Sequence, residues 1–328
     1  MRRIQGVELK KLLKKAYDEC FPYLLPIRLD ISLTTACNTK CAYCWHQEKA
    51  GSDLTCSNLS GLVDLLCVLK PPKLCLTGGE PTIWPGFEEL VSYAHNAGIN
   101  KIWLCTNGYR LRELGFYEKI VKLGVNLINI SVDTLNDKKF EMLRGFKFTY
   151  FKEVISNSLW IKRKYPNVAI TLASVMSKEV TPQDLFELKK FCSRLRFGHF
   201  VQTFDETGFS EIDKRFCLND KERKKYNSKL FWFGKKSSMA VKRIVSPFTK
   251  VNTDLRCLKG FTTVKLLSDG SVRFCWNGST IGNIFKDSFI DIWNSNTAFQ
   301  ERVNIKQGLC KCKFDCDVYE SLELYENA

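Results

Sequence analysis

The chain has 328 residues, 45% of them hydrophobic, with 15 cysteines and a formal charge of +15, long enough for one large domain plus a smaller one. It shows no long uncharged apolar stretch and no leading apolar run with a small-residue cleavage site, so no transmembrane helix, signal peptide or membrane partner is expected, and clustered cysteines point to a reducing cytoplasm rather than a disulfide framework. The basic excess favours anionic partners such as nucleotides, phosphorylated sugars, RNA or an acidic peptide, although a solvated basic surface accounts for charge equally well.

The segment before Ile27 is a short basic amphipathic helix. Residues 27–33 alternate apolar and polar side chains and deliver the chain into ACNTKCAYCWH, where Cys37, Cys41 and Cys44 stand at a C-x3-C-x2-C spacing. Three thiolates on one loop can hold three irons of a [4Fe-4S] cube, leaving the fourth open to a substrate; sites that only transfer electrons usually supply four cysteines. A zinc knuckle or three unrelated thiols is the competing reading. Residues 59–69 have helical spacing, and 73–77 read as a short buried strand ending in the turn Gly78-Gly79-Glu80-Pro81. Glycines there let the backbone approach a ligand closely, and Glu80 can accept hydrogen bonds from an ammonium group.

Residues 87–96 read as a helix closed by Gly98, and 101–105 as a strand ending in Thr106-Asn107-Gly108. A helix over 111–123 closes at Gly124, a strand spans 127–132, and helical segments run to residue 164. A strand over 168–175, a helix over 182–195 with proline just inside its start, and a last strand over 200–204 complete the series. Strands alternating with helices imply right-handed βαβ units and a parallel sheet. About six such units make an incomplete (βα) barrel, with functional groups at the C-terminal ends of the strands.

The cysteine loop and the GGEP turn, one βα unit apart, resemble the radical S-adenosylmethionine (SAM) superfamily, and the resemblance runs from about Leu29 to Cys316. It implies a partial (β/α)6 TIM-like barrel in which the open iron chelates the amino and carboxylate groups of SAM while the GGE turn binds the amino group. One electron from the reduced cluster then cleaves the sulfonium to a 5′-deoxyadenosyl radical, which abstracts hydrogen from the substrate. A donor such as flavodoxin or ferredoxin is implied. By the same resemblance Ser131, ending the fourth strand, and Arg144, in MLRG, contact SAM, the arginine fork suiting its carboxylate. Tyr43 resembles the aromatic packed on the adenine. Asp133 takes the ribose or substrate, or caps the next turn. Asn107 is a further cofactor contact, unless TNG is a simple turn.

Residues 206–250 change character, rich in Lys and Arg with one aromatic patch at Phe231-Trp232-Phe233. They read as a linker between a barrel over 27–205 and a C-terminal domain over 251–328, with 1–26 as an N-terminal helix. Cys257 lies upstream of a hairpin, 262–267 and 271–275, joined by Ser-Asp-Gly and ending in Cys275. Cys310, Cys312 and Cys316 return after a helix near 289–299. This arrangement resembles the SPASM or shorter twitch extension, a small α+β unit. The tail departs from the SPASM pattern C-x2-C-x5-C-x3-C, offering C-x-C-x3-C. Five thiols cannot fill two clusters at four cysteines each. The resemblance implies one auxiliary [4Fe-4S] cluster on Cys257, Cys275 and two of the last three cysteines; zinc is the competing occupant.

The same resemblance implies oxidation, epimerisation, dehydration or cross-linking of a peptide or a small sugar-like metabolite. Epimerisation needs a hydrogen donor, often a thiol, and Cys105 or Cys75 could face the barrel interior, though buried cysteine is also a common packing residue. The N-terminal segment is too short for the winged-helix module that some peptide modifiers carry. RNA remains a possible substrate, without a recognisable RNA-binding module; tight, salt-sensitive binding would mark it. A non-catalytic iron–sulfur sensor or scaffold is the reading from another class.

Overall fold

The computed structural model describes residues 7–44, 59–203, 214–219, 221, 222, 226, 257–276 and 278–309. Six strands, β1 (Arg28–Ser32), β2 (Lys73–Thr77), β3 (Ile102–Thr106), β4 (Val125–Ser131), β5 (Ala169–Met176) and β6 (Gly198–Thr203), lie side by side in chain order, all parallel. The expected α/β partial barrel is therefore what the chain forms. α1 (Val7–Glu19) precedes β1, and between strands run α2 (Leu59–Leu69), α3 (Phe87–Asn96), α4 (Leu114–Leu123), α5 (Asp137–Arg144), α6 (Phe148–Lys164) and α7 (Pro182–Leu195).

Local chemistry sets these boundaries. Thr181 caps α7 through its side chain and Asp184 closes a reciprocal capping box, with Pro182 at the first turn, satisfying amides the helix cannot pair internally. Asn136 accepts from the Lys139 amide to start α5, which stops at Gly145 in the left-handed conformation. The helix expected over 111–123 divides, because Glu113 is extended: Tyr109–Arg112 forms a 3₁₀ turn and α4 begins at Leu114.

Each strand presents alternating faces. On the outer face Leu29, Ile31, Leu74, Leu76, Ile102, Leu104, Ile128, Ile130, Ile170 and Leu172 join apolar side chains of α2, α3, α4 and α6 in one buried core. Each large side chain so buried contributes about 1.5–3 kcal/mol. The inner face is different in kind: Arg28, Asp30 and Ser32 on β1, Cys75 on β2 and Asn129 on β4 are all buried there.

The C-terminal segment extends this sheet. Its hairpin pairs β7 (Thr263–Leu266) with β8 (Ser271–Arg273), antiparallel as expected, and β9 (Gly282–Asn283) follows β8. The hairpin also docks: β7 pairs parallel with β1, Asp30 opposite Lys265, giving the order β6-β5-β4-β3-β2-β1-β7-β8-β9. The helix expected near 289–299 is two, α8 (Phe289–Asn294) and α9 (Asn296–Gln307), separated by Ser295, which caps the second. The buried Arg302 guanidinium donates to the Gly260 and Trp293 carbonyls and lies 4.6 Å from the Trp293 ring. Leu13, Ala16 and Tyr17 of α1 pack on Leu258 and Phe261, so the N-terminal helix rests on the C-terminal segment. Among the described residues no helix is long and apolar enough to cross a membrane.

Candidate functional site

The loop after β1 and the turn after β2 are built against each other. Gly79 donates its amide to the Thr34 carbonyl (2.7 Å) and Glu80 to the Ala36 carbonyl (2.9 Å). A Cβ at Gly79 would stand 2.2 Å from the Ala36 oxygen, so only glycine allows this approach. Gly78, at φ 129, turns the chain into it. Alanine at position 79 is expected to push the cysteine loop away at an overpacking cost of roughly 1–3 kcal/mol. The checks are a lower melting temperature and reduced iron retention; unchanged iron content would count against the coupling.

The expected ammonium acceptor, Glu80, is fully buried. Its carboxylate accepts from the Thr82 amide and hydroxyl, the Thr106 hydroxyl (2.7 Å) and the Asn107 amide (2.7 Å). Burial pushes this carboxyl up, while the hydrogen bonds from Thr82, Asn107 and Thr106 oppose that shift. Glu80 thus ties the glycine turn to the end of β3. Asn107 carries the link on: its side-chain amide donates to Asn38 (2.8 Å) and Thr39 (3.2 Å) and lies 3.6 Å from Cys37 Sγ.

The Thr39 hydroxyl stands between two of the cysteines, 3.3 Å from Cys37 Sγ and 3.9 Å from Cys41 Sγ. Cys37 is exposed, and Cys41 and Cys44 are half-buried. Among the described residues no three His, Cys, Asp or Glu side chains converge as a single metal ion requires. Three thiols on one loop, with the Thr39 hydroxyl beside two of them, are donors of the type an iron–sulfur cluster takes. The loop is pinned from below, where Ala42 donates to the Leu143 carbonyl and Cys41 Sγ lies 3.7 Å from the Arg144 carbonyl.

Arg144, Asp133 and Tyr43 meet in one buried cluster. Arg144 Nε is 2.8 Å from Asp133 Oδ2, Tyr43 donates its hydroxyl to the same oxygen, and Asp133 Oδ1 accepts from the Val175 amide at 2.8 Å. The guanidinium carbon lies 5.6 Å from the Tyr43 ring centroid. Burial, the Asp133 charge and the hydrogen bond to it hold the Tyr43 phenol well above its usual range. Tyr43 and Asp133 engage each other across 90 residues of sequence. Ser131, on the inner face at the end of β4, is half-buried.

Deeper on that face lies a group that strand patterns alone did not mark. Asp30 takes Arg28 Nη2 at 3.0 Å and also pairs with Lys265. Burial would raise its carboxyl, but Arg28 and Lys265 hold it well below the usual carboxylate range. Arg28 and Lys73 lie over the Trp103 ring at 4.9 and 4.3 Å, and Lys265 over Trp276 at 4.6 Å. The available signal was charge at alternate positions of an otherwise apolar strand, RLDIS. Beside this group, Cys75 Sγ and Cys105 Sγ are 3.7 Å apart. Cys257 and Cys275 are half-buried near the hairpin; Cys310, Cys312, Cys316 and the basic segment around residues 227–250 lie outside the described residues.

The model of the radical SAM superfamily matches residues 31–192, and that of the SPASM iron–sulfur cluster-binding domain matches residues 257–317. A GTP 3′,8-cyclase from Tolumonas auensis is 28% identical over 211 residues, covering 62% of this chain and 59% of the relative. Molybdenum cofactor biosynthesis protein 1 of Dictyostelium discoideum is 32% identical over 226 residues, covering 65% of this chain and 34% of the relative. The chain thus spans less than two thirds of either relative. SuiB of Streptococcus suis, solved with its precursor peptide SuiA, shares the fold with a TM-score of 0.66 at 17% identity, over 92% of this chain and 70% of SuiB. anSMEcpe with bound AdoMet does so with 0.61 at 19%, over 92% of this chain and 96% of that protein. With the two family models placed on the barrel and on the docked hairpin, the chain belongs to the radical SAM superfamily, with a C-terminal SPASM domain, and its cofactors are SAM, a SAM-binding [4Fe-4S] cluster and an auxiliary cluster.

Proposed function

We propose that this chain is a radical SAM enzyme whose substrate is a small molecule with an anionic group, held on the inner face of the barrel. The observation that carries the reading is the buried Arg28–Asp30–Lys265 network flanked by the Trp103 and Trp276 rings. Guanidinium and ammonium groups in a site withdrawn from water attract phosphate or carboxylate strongly, and indole faces offer area for a base or sugar ring to stack. The relatives named GTP 3′,8-cyclase act on such a molecule.

In this reading Cys37, Cys41 and Cys44 hold the SAM-binding cluster, and Cys257, Cys275 and two of Cys310, Cys312 and Cys316 hold the auxiliary one. When bound, SAM and its cluster supply a carbon radical by one-electron cleavage of the sulfonium. The residues of the chain do the rest. The Gly78-Gly79-Glu80 turn would take the cofactor amino group, and Glu80 and Asn107 keep that turn registered on the cysteine loop. Arg144 and Ser131 would contact the cofactor carboxylate, and Asp133, 2.8 Å from Arg144 Nε, would hold that guanidinium in place. Residues 27–205 form the barrel unit, 251–328 the auxiliary-cluster unit, and 206–250 bridge them.

The test is SAM cleavage by the reconstituted chain under anaerobic, reducing conditions. 5′-Deoxyadenosine is followed by mass spectrometry with anionic-metabolite, peptide and RNA fractions added separately. Stimulation by the anionic metabolites, lost in Lys265→Met, is the expected result. Stimulation by peptides or RNA alone would overturn the substrate class, and absence of cleavage from a loaded cluster would favour the sensor or scaffold.

A further inference from the structure

We propose that Cys75 and Cys105 act as a paired hydrogen-atom donor inside the barrel, Cys105 delivering the atom and Cys75 standing behind it; this rests on the enzymatic reading above. Their sulfurs are 3.7 Å apart. Cys105 is half-buried, on the same face of the sheet as Cys75, which is 3% exposed. Two thiols in contact, one reachable and one sheltered, go beyond what packing requires.

Position supports the role. Cys105 immediately precedes Thr106, whose hydroxyl donates to Glu80, and Asn107, which reaches Cys37 Sγ. Strand alternation turns Cys105 to the inner face as Thr106 turns away. Its thiol therefore lies about one residue of strand rise, roughly 3.3 Å, below the loops that make up the cofactor site. Cys75 is one layer deeper, in register with Asp30 and Trp103. The hydrogen bond between the two thiols, together with burial, pushes the Cys75 thiol well above its usual range and lowers that of Cys105, so the proton of the pair is held most firmly on Cys75.

An S–H bond is weaker than an aliphatic C–H bond, so a carbon radical in this interior takes hydrogen from Cys105. The S–H bond breaks, a C–H bond forms, and one unpaired electron stays on sulfur. Cys75 then passes its own hydrogen atom across the contact, which restores the Cys105 thiol and moves the unpaired electron to the sheltered sulfur. One electron from a ferredoxin- or flavodoxin-class donor and one solvent proton return Cys75 to the thiol.

Two measurements on the full chain test the pair. In the first, the reconstituted protein is reduced in anaerobic D2O with SAM and no substrate, and the isotope content of 5′-deoxyadenosine is read. Wild type is expected to give mainly product with one sulfur-derived deuterium. In whatever product Cys105→Ser forms, that fraction falls about fivefold or more. In the second, reduced protein without SAM is treated with a limiting amount of a thiol-alkylating reagent and mapped by peptide. Cys105 should be labelled ahead of Cys75 in wild type, and Cys75 should label faster in Cys105→Ser. Equal deuterium in wild type and Cys105→Ser would overturn the donor role, and labelling of Cys75 as fast as Cys105 in wild type would overturn the sheltered partner. No 5′-deoxyadenosine from wild type, even with the metabolite, peptide and RNA fractions added, would overturn the enzymatic reading itself, and the donor role with it.

Discussion

Replacing Cys37 by alanine is expected to reduce 5′-deoxyadenosine formation to background, a loss of about three orders of magnitude or more, equivalent to about 4 kcal/mol of barrier. Cys37 is the exposed member of the loop triad, and the Asn107 amide and Thr39 hydroxyl are both directed at its sulfur. Two thiolates on a short loop cannot hold a cubane that already leaves one iron open, so the loss falls on cluster binding before it falls on chemistry. Iron analysis and electron paramagnetic resonance of the reduced protein should show the SAM-binding cluster missing and the auxiliary signal retained. Cys275→Ala is the converse control and should remove only auxiliary iron. Full SAM turnover in Cys37→Ala would sink the site assignment.

Asp133→Ala is expected to destabilise the chain by about 3–5 kcal/mol, because it strands a buried guanidinium. Asp133 is fully buried and Arg144 only 5% exposed, and the same carboxylate also takes the Tyr43 hydroxyl and the Val175 amide. The loss therefore includes an unpaired amide and phenol as well as an unpaired charge. Arg144 also ends α5, whose last carbonyls hold the cysteine loop, so iron retention should fall along with stability. The urea midpoint of the reduced protein measures the first effect and iron content the second. The double variant Asp133→Leu with Arg144→Met should recover much of the stability, since a well-packed apolar pair can replace a buried ion pair, but not SAM binding. A loss below about 1 kcal/mol in Asp133→Ala, the range of exposed pairs, would show that the pair contributes little.

The strands of the barrel were legible because parallel strands covered by helices carry apolar side chains at every second position or more, and because glycines at 98, 124 and 145 punctuate the helices. Lys73–Thr77, Phe87–Asn96 and Pro182–Leu195 fall where propensity and capping put them. The cysteine loop and the glycine turn were legible for another reason: their chemistry is local, three thiols within eight residues and two glycines side by side. The division at Glu113 was not, since one extended residue inside a helical pattern leaves no compositional mark.

What linear order could not carry is every contact made at a distance. The hairpin at Thr263–Leu266 reads as part of a separate unit, yet its hydrogen-bonding edge completes β1, 235 residues away at the Lys265–Asp30 pair. The N-terminal helix settles on Leu258 and Phe261 because both surfaces are apolar and otherwise exposed. Glu80, read as an acceptor for an ammonium group, also ties its turn to the end of β3, since strand adjacency brings Thr106 and Asn107 to its carboxylate. Cys75 and Cys105, thirty residues apart, become a contact pair only when β2 and β3 lie side by side. Periodicity and motif therefore determined which elements form and which cofactors the chain holds. Strand pairing in three dimensions decided which side chains share the interior, because register between distant strands is set by the packing of whole faces and not by any short run of residues.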